Sequence, residues 1–542
     1  EINNQSVSVP VSGSKRLDFK VKAQNGGTFV YTLTINAYVA QTVTWTGSVV
    51  NSLTAGLDTA TIVSVTSRDA AMQGRPATLA SQGAISTTWS MTTGLDYTPK
   101  SFIVTLLAND NTYYVSEVLA AVVSSGTALQ ALNVTNAGIR ISNPDELKTL
   151  ENNANKNKDF ALSSDIDLEE SGTTWTGPGK DDGSDGYRGH FYGNGYTIKL
   201  VLSKTKGATA LFNCLQTGAT VENFVVDVST KISPLNTTDG TYFGGVAGYL
   251  AYNANNITLN KITVKGNLSF GNSRKWLLIG GLVGEIKDVG TVNIINCVSA
   301  LNVSVIGNNA DNNTTGVGGL IGRIRRNDRD GTAAVTIEKC FTTGSITIQT
   351  DQSSSVLTKN YFAGGLVGDI GNSRAGTTTG VTINQCYSSS DVTITCSNTS
   401  SVYTGGAGGL VGMMWKEVGT TNITISNSAA LGSRALLTAN TSAAVSNNRV
   451  AGLGQDSGGN WSSKAPNQCS LNNNIARSGM AIGAPPGTPD TSSSDTNGTT
   501  VSGKAVTAED LRGLTTWTTS LGWSENDWDF SGLSDGKLPI LK

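Results

Sequence analysis

The sequence predicts an all-β chain in which an N-terminal immunoglobulin-like β-sandwich region precedes a right-handed parallel β-helix of glycine-cassette repeats and a short C-terminal cap. Three observations support this prediction. Gly, Ser, Thr, Asn and Val dominate, with 63 Gly in 542 residues, which is typical of strands joined by turns. A Gly-Gly-aliphatic-small-Gly cassette recurs five times, as in stacked repeat proteins. Cysteines recur at one position in successive repeats.

Length and charge limit the classes of function. A formal net charge of −2 gives no field that would attract nucleic acid or an anionic membrane, so we expect neither partner. No apolar run is long enough to span a bilayer, so we expect no transmembrane segment here. The sequence opens at Glu1 without an initiator Met, and we interpret it as a mature segment of an exported protein whose signal or anchor lies elsewhere.

The first region, residues 1–134, shows alternating strands separated by turn residues. Leu17–Lys22 and Phe29–Ile35 alternate apolar with polar side chains around a Gly-containing turn, which predicts a hairpin. Strands of similar pattern follow, and they favour an immunoglobulin-like sandwich of one or two modules. They lie at Val43–Trp45, Thr61–Val65, Phe102–Leu106 and Tyr113–Val123.

Residues 135–503 are predicted to form the β-helix, beginning with a helical cap. Ser142–Leu147 contains an N-cap candidate, a Pro in the first turn and two acidic residues that suit the positive end of a helix. Leu147 and Leu150 would cover the open end of the stack, which otherwise exposes unpaired strand edges. Residues 504–542 are predicted to be the C-terminal capping segment.

The five cassettes punctuate this stack at intervals of a few dozen residues. We interpret each as part of a strand whose central aliphatic residue faces the interior, with glycines at a bend or a crowded wall. Counting from Ala363, one coil has three strands: Gly365–Ile370, Val381–Cys386 and Asp391–Thr395. A phosphate cradle is disfavoured because the nucleotide-binding spacings and the following Lys-Ser or Lys-Thr are missing. The cassettes are Gly244–Gly248, Gly280–Gly284, Gly318–Gly322, Gly364–Gly368 and Gly408–Gly412.

Cys297, Cys340 and Cys386 each end a similar strand, so we expect them to form a ladder of small buried hydrophobic side chains. The spacing of the thiols does not match a zinc site. A disulfide between Cys386 and Cys396 stays open as an alternative.

The residue after each cassette would repeat in register on the surface. The alternating charges of this row predict a weak, exposed ion-pair ladder rather than the paired carboxylates of a glycosidase. The row holds Tyr249, Glu285, Arg323, Asp369 and Met413.

Catalytic and metal-binding signals are weak. The single histidine, His190, is interpreted as an ordinary surface or loop residue, and no His-Glu-x-x-His helix exists. Asp181–Gly186 resembles part of a calcium loop but lacks the Glu at the twelfth position, so a solvated turn is favoured. We expect no catalytic residues, no metal site and no cofactor.

Ligand-binding candidates are aromatic and basic side chains beside the cassettes. Trp276 and Trp415 flank cassettes and could stack on sugar rings, although packing is the alternative role. Arg325 and Arg326 belong to a basic-to-acidic run that could meet an anionic glycan, although most such runs are only solvated.

The cassette resembles the GLUG motif of bacterial surface proteins, which include adhesin-like proteins and non-catalytic regions of some IgA-specific metalloendopeptidases. The resemblance covers residues 159–454, with a degenerate sixth copy at Val450–Gly454. The ending, from Thr507–Leu511 to Leu538–Leu541, is similar to the segment that commonly closes such repeats. The resemblance implies an exported β-helix at the cell surface or outer membrane of a Gram-negative bacterium, without a defined ligand.

These observations together favour an adhesin-like binding protein, not an enzyme, that presents loops on a β-helix scaffold. The expected partner is a host glycan, a polysaccharide or a surface protein. The alternatives are a carbohydrate-active enzyme, either a polysaccharide lyase or a glycoside hydrolase, and a passive structural stalk.

Overall fold

The chain is nearly all β, with 57% of residues in strands and 6% in helices. The computed structural model describes residues 14–22, 28–36, 42–54, 56–69, 75–94, 97–122, 127–172, 175–230, 235–237, 240–251, 254–273, 276–306, 314–326, 332–350, 359–396, 403–439, 445–455, 461–462, 469–482, 495 and 497–542. They form two compact units, Glu1–Asn136 and Ala137–Lys542. No helix in these ranges is both long enough and apolar enough to cross a membrane.

The first unit contains short sheets that are mostly antiparallel. The predicted hairpin is confirmed, since β1 and β2 pair antiparallel from Ser14–Asn36 to Lys22–Thr28. A second sheet has the order β5-β6-β3-β9, and β7 pairs antiparallel with β4 and β8. The nine strands are β1 Ser14–Lys22, β2 Thr28–Asn36, β3 Thr42–Asn51, β4 Thr61–Ser67, β5 Thr78–Leu79, β6 Ser86–Gly94, β7 Ser101–Leu107, β8 Tyr113–Leu119 and β9 Leu132–Val134.

The second unit begins with one α-helix among early strands. The helix α1 is Pro144–Lys148, followed by the 3-10 helices Thr149–Glu151 and Asn153–Asn155. The strands up to the third cassette are β10 Gly138–Ile141, β11 Phe160–Leu162, β12 Ile166–Asp167, β13 His190–Tyr192, β14 Thr197–Leu202, β15 Gly207–Thr209, β16 Phe212–Leu215, β17 Thr220–Thr230, β18 Leu235–Thr237, β19 Thr241–Gly244, β20 Ala247–Ala251, β21 Ile257–Ser273, β22 Leu277–Gly280, β23 Val283–Lys287, β24 Thr291–Ile295, β25 Val298–Ile306 and β26 Thr314–Gly318.

The rest of this unit continues the same pattern to the C-terminal segment. The strands are β27 Ile321–Arg326, β28 Thr332–Glu338, β29 Phe341–Gln349, β30 Lys359–Gly364, β31 Val367–Asn384, β32 Tyr387–Ser388, β33 Asp391–Cys396, β34 Tyr403–Gly408, β35 Val411–Ser426, β36 Ala429–Ala430, β37 Ala435–Ala439, β38 Val445–Asn448, β39 Ala451–Gln455, β40 Trp461–Ser462, β41 Cys469–Asn472, β42 Ile475–Arg477, β43 Lys504–Val506, β44 Trp528–Asp529 and β45 Ile540–Leu541. Two 3-10 helices, Asp510–Arg512 and Leu533–Asp535, and a π-helical turn, Thr516–Ser520, lie in the last segment.

Equivalent strands of successive coils pair in parallel and form four sheets. Sheet I contains β15, β19, β22, β26, β30, β34 and β38. Sheet II contains β16, β20, β23, β27, the starts of β31 and β35, and β39. Sheet III contains β13, the starts of β17 and β21, then β24, β28, the ends of β31 and β35, and β41. Sheet IV contains β14, the ends of β17 and β21, then β25, β29, β33 and β37.

This stacking is consistent with a parallel β-helix. One continuous apolar core of Leu, Ile, Val and Phe runs from Ile141 to Met480. The core is shared by all four sheets, so each coil is stabilised mainly by burial against its neighbours.

The cassette is a bend between two strands, and the prediction of one continuous strand was wrong. In the fourth copy β30 ends at Gly364 and β31 begins at Val367, so one coil has four strands instead of three. Glycine is required because coils touch at the bend. A Cβ at Gly365 would lie 2.0 Å from the carbonyl oxygen of Gly409 in the next coil, and one at Gly319 would lie 2.0 Å from that of Gly365.

The sixth copy lies two residues earlier than the sequence suggested. Register pairs Gly408 with Asn448 and Val411 with Ala451, so the copy is Asn448–Gly452 and its second position is Arg449. Arg449 is buried, with Nε and Nη2 each donating at 2.9 Å, to the carbonyls of Ser502 and Gly503. A side chain fits there because a different segment, and not another cassette, follows.

Sheets III and IV meet at a corner where one residue per coil is left-handed. Seven corner residues have φ between 49° and 60°. Such values are uncommon outside glycine and are best tolerated by Asn, which occupies four of the positions. The corner residues are Asn223, Lys261, Asn296, Lys339, Gln385, Asn427 and Asn473.

The residue after the corner points inward, and here the cysteine ladder is found. Cys297, Cys340 and Cys386 are fully buried free thiols, as the ladder prediction requires. Each also bonds its neighbour, because Cys297 N–H donates to Cys340 Sγ at 3.3 Å and Cys340 N–H donates to Cys386 Sγ at 3.4 Å. Ser428 and Asn474 continue the row as oxygen acceptors. Cys396 is also buried, and no disulfide joins it to Cys386.

The helix α1 lies over the first coils with the predicted cap. Asn143 Oδ1 accepts the Glu146 N–H at 2.9 Å and so caps the helix, and Glu146 Oε2 accepts the N–H of Ser142, the residue before the cap, at 2.7 Å. Leu147 and Leu150 are buried in the core of the stack.

The C-terminal segment packs along the side of the stack. Trp517, Trp523 and Trp528 cover a row of outward-facing side chains contributed by four coils. Tyr387 Oη donates to the Pro539 carbonyl at 2.9 Å and Trp523 Nε1 donates to that of Asn427 at 2.8 Å. The covered row is Phe341, Tyr387, Ala429 and Ile475.

Candidate functional site

The row that follows the cassettes is in register, but it is buried, and its predicted exposure was wrong. Tyr249, Glu285, Arg323, Asp369 and Met413 pair in order along sheet II. Sheet I covers them because the cassette bend folds the two sheets face to face. The ring of Tyr242 packs against that of Tyr249 at a tilt of 36°, with ring centroids 4.2 Å apart.

Two ion pairs neutralise the charges in this row. Arg323 Nε lies 2.8 Å from Asp369 Oδ2, with side chains 5% and 0% exposed. Arg325 Nε lies 2.9 Å from Glu285 Oε1, with side chains 13% and 1% exposed. The four charges sum to zero, as a buried set of charges requires. Burial and the Glu285 carboxylate raise the pKa of the Tyr242 phenol to about 12, so this ring stays neutral.

A glycine in sheet I, Gly316, leaves room for the Arg323–Asp369 pair. A Cβ at Gly316 would lie 3.4 Å from Asp369 Oδ2 and 3.1 Å from Leu278 Cδ2. On either side the facing positions carry Leu278 and Phe362, which pair in register with Gly316. The space between sheets I and II at this row is therefore filled by the protein's own side chains.

The structure brings together two of the four sequence candidates. Trp276 is 39% exposed, and the Arg325 guanidinium carbon lies 5.7 Å from its ring centroid. Trp415 lies two strands from Arg325 and packs over Gly371, against Phe362 and Met413. Its Nε1 is 3.4 Å from Asp369 Oδ1. Arg326 ends β27, and its side chain lies outside the described residues.

A groove on sheet IV was not found by the sequence reasoning. It encloses about 340 Å³ and its polar lining consists of amides and hydroxyls. Asn302 Nδ2 donates to Asn267 Oδ1 at 2.9 Å, and Ser345 Oγ donates to Asn302 Oδ1 at 3.1 Å, so the lining is a row of bonded side chains. The lining residues are Thr230, Asn267, Leu268, Ser269, Asn302, Val303, Ser304, Ser345 and Thr347.

A signal for this groove exists in the sequence. The outward positions of β25 and β29 that line the groove are Asn302, Ser304, Ser345 and Thr347, and neither strand carries Lys or Glu at an outward position, where a solvated sheet usually has some. Gly266 and Gly344, with φ of 132° and 105°, lie in the same row on either side of Leu301.

The other titratable candidates have protein partners. His190 lies on β13, with Nε2 2.7 Å from Glu222 Oε1 and its ring stacked on Tyr192 at 3.7 Å. The hydrogen bond from His190 is the main cause that lowers the pKa of the Glu222 carboxyl.

The acidic loop at residues 181–186 contacts lysines and an arginine. Asp185 lies 2.7 Å from Lys156 Nζ and 2.8 Å from Arg188 Nη2, and Asp181 lies 3.1 Å from Lys204 Nζ. Across the ranges that the structure describes, no three His, Cys, Asp or Glu residues are grouped so as to hold a metal ion.

Comparisons with known proteins add little. No family model and no curated protein matches this sequence. Among solved structures, a candidate immunoglobulin A1 protease from Bacteroides ovatus is similar with 18% identity and a TM-score of 0.40, over 75% of this chain and 92% of that chain.

Proposed function

We propose that this chain is a non-catalytic, adhesin-like binding protein of a Gram-negative bacterial cell surface, and that its ligand is a saccharide of a host glycan or a polysaccharide. The repeats would be GLUG-type coils of a right-handed parallel β-helix, preceded by an immunoglobulin-like unit. The protein would be exported and held at the surface by a signal or anchor in another segment.

The groove on sheet IV carries this proposal. Its polar lining offers Asn, Ser and Thr groups, which both donate and accept hydrogen bonds, as sugar hydroxyls require. None of the described residues that line it is ionisable. The groove also crosses strands from four coils, β17, β21, β25 and β29, so an extended ligand could lie along the stack.

Trp276 gives a second, independent reason for saccharide binding. Its indole is among the few large aromatic rings that the described residues leave substantially exposed. An exposed indole with a guanidinium beside it suits the apolar face and hydroxyls of a pyranose.

The buried carboxylates favour binding over turnover. A glycoside hydrolase needs two carboxyl groups that face the glycosidic bond, one protonated and one ionised. Glu285 and Asp369 instead each face an arginine at 2.9 and 2.8 Å and are covered by sheet I.

The test is a glycan and host-protein binding array on the purified chain, with polysaccharide turnover measured in parallel. We expect saccharide binding that Asn302→Ala weakens about tenfold, since it removes both bonds at the centre of the groove. Asn293→Ala, on sheet III, is the matched control and should bind like the wild type. Silence on the array, or turnover of any polysaccharide, would refute the proposal.

A further inference from the structure

A second cavity lies between the side of the stack and the C-terminal segment. It also encloses about 340 Å³. Strands β33 and β42 and the segments at Ser389 and 431–433 contribute one wall, and residues 508–512 and 536–538 contribute the other. The cavity therefore exists only when the C-terminal segment is docked.

The rim of this cavity is cationic. Arg477, Arg512 and Lys537 line it, and all three residues are exposed. Arg477 comes from the last coils, whereas the other two come from the C-terminal segment. The nearest acidic partner of Arg512 is Glu509, at 3.7 Å and largely solvated, so it offsets little of this charge.

One carboxylate, that of Asp391, also lines the cavity. Its oxygens already bond to groups of the protein. Its Oδ1 accepts the Ser433 N–H at 2.6 Å, and its Oδ2 accepts the Ser433 hydroxyl at 2.8 Å. Arg434 Nε lies 3.7 Å from the same Oδ2. The cationic side chains at the cavity therefore outnumber this single carboxylate, and the cavity carries a net positive charge.

The floor is apolar. Leu431, Leu511 and Leu538 also line the cavity. An apolar floor with a cationic rim suits a ring that has one hydrophobic face and one anionic substituent.

The cavity continues the groove on sheet IV. Register places Asn267 beside Asn302, Asn302 beside Ser345, and Ser345 beside Asp391. Ser345 lines the groove and Asp391 lines the cavity, and neighbouring strands in a sheet are about 4.8 Å apart. The groove and the cavity therefore adjoin on one face of the stack.

We propose that this cavity binds a carboxylate-bearing sugar unit, with Arg477, Arg512 and Lys537 pairing with the carboxylate and the leucines contacting the ring. The proposal rests on saccharide binding as the proposed function and adds the charge class of the ligand. Neutral units of the same saccharide would occupy the groove on sheet IV.

The test measures binding of the full chain to two acidic probes, an oligogalacturonate and a sialyllactose, by calorimetry. Their neutral counterparts, the methyl-esterified oligogalacturonate and lactose, are the ligand controls. We expect at least one acidic probe to bind about tenfold more tightly than its counterpart, since charge-assisted bonds to the carboxylate are lost in the ester. Preference between the two probes distinguishes a uronate chain from a terminal sialic acid.

The variants assign the effect to the cavity. Arg477→Gln and Lys537→Gln should each weaken acidic binding about tenfold, and Arg477→Lys should retain part of it. Lys180→Gln removes the same charge at an exposed position outside the cavity and should change nothing. Equal binding of acidic and neutral probes, or an equal loss in Lys180→Gln, would overturn the cavity assignment. Neutral binding that remains sensitive to Asn302→Ala would still support the proposed function, whereas absence of all saccharide binding refutes both.

Discussion

Arg323 and Asp369 lie on neighbouring coils and form an ion pair that the protein buries almost completely, with Nε 2.8 Å from Oδ2 and side chains 5% and 0% exposed. The pair sits between two sheets that meet at the cassette bend, opposite Gly316. Its burial makes removal of one partner costly, because the other charge is then left unpaired away from water.

Replacing Asp369 by Asn should therefore destabilise the second unit by about 3 kcal/mol, measured by urea denaturation. The control is Asp227→Asn, which removes one partner of the Lys265–Asp227 pair at 3.4 Å with side chains 50% and 42% exposed. It should cost about 1 kcal/mol or less. Equal losses in the two variants would show that burial of the Arg323 pair has no energetic consequence.

The cysteine ladder should prefer a hydroxyl over an apolar side chain. Cys386→Ser keeps an acceptor for the Cys340 N–H, as Ser428 already does one coil later, so it should cost about 1 kcal/mol or less. Cys386→Val leaves that N–H unpaired in the core and should cost about 1–3 kcal/mol more. Urea midpoints of the two variants decide the order, and a more stable Val variant would contradict the role of the sulfur as an acceptor.

Asparagine at the left-handed corner should make the protein more stable than lysine does. Lys261 has φ of 52°, a conformation that Asn tolerates better than Lys, so Lys261→Asn should gain about 0.5–1 kcal/mol of unfolding free energy. Lys261→Val, which is β-branched, should lose about 1–2 kcal/mol. Lys261→Gln controls for the lost charge. A destabilised Asn variant beside an unchanged Gln variant would argue against this explanation.

Of the two tryptophan candidates, we expect Trp276 to bind ligand and Trp415 to stabilise the fold. Trp276→Ala removes an exposed ring and should weaken saccharide binding several-fold while leaving the melting temperature nearly unchanged. Trp415→Ala removes a ring packed over Gly371 and should destabilise by about 3 kcal/mol. Thermal unfolding and calorimetry on both variants test this, and the reverse assignment would refute it.

Low pH should reduce the folding stability of the early coils because it protonates the carboxylate of Asp185. Hydrogen bonding from Lys156 is the main cause that lowers the pKa of this carboxyl from 3.8 to about 2. A lowered folded pKa stabilises the protein above the ordinary carboxyl pKa, and this stability is lost as the pH falls from about 4 to about 2. Solvent screening reduces the contribution to about 1 kcal/mol.

Asp185→Asn should therefore lower stability at pH 7 and narrow the difference between pH 7 and pH 2.5. Urea midpoints at both pH values measure this difference. Glu525→Gln, at an exposed position, should leave the difference as in the wild type. An unchanged difference in Asp185→Asn would contradict the Lys156 explanation.

Much of the stack could be predicted because repeated residues report register directly. A glycine recurs at the position of Gly365 because a carbonyl of the next coil occupies the place of a Cβ. Cysteine recurs at Cys297, Cys340 and Cys386 because one coil stacks on the next. Helix α1 could be predicted because its cap depends on residues adjacent in sequence.

The burial of the row that follows the cassettes could not be predicted because it depends on the angle at the cassette bend. The same row of Glu285, Arg323 and Asp369 would be exposed if the cassette were a straight strand, and it is buried because sheet I folds over it. The cationic cavity joins Arg477 to Lys537 across 60 residues of sequence, and no local pattern encodes that approach. The role of Arg449 could not be predicted because, in the last copy of the cassette, it replaces the glycine by which the other copies are recognised.

The C-terminal segment also sets limits on how this protein can change in length during evolution. Its tryptophans pack on one specific series of outward side chains, from Phe341 through Tyr387 and Ala429 to Ile475. A gene duplication that adds a coil before Phe341 leaves that series intact. A duplication within the series would place a second large ring where Ala429 now admits an indole. Lineages that carry this ending should therefore vary in coil number on the N-terminal side of Phe341 and keep the four coils beneath the segment constant.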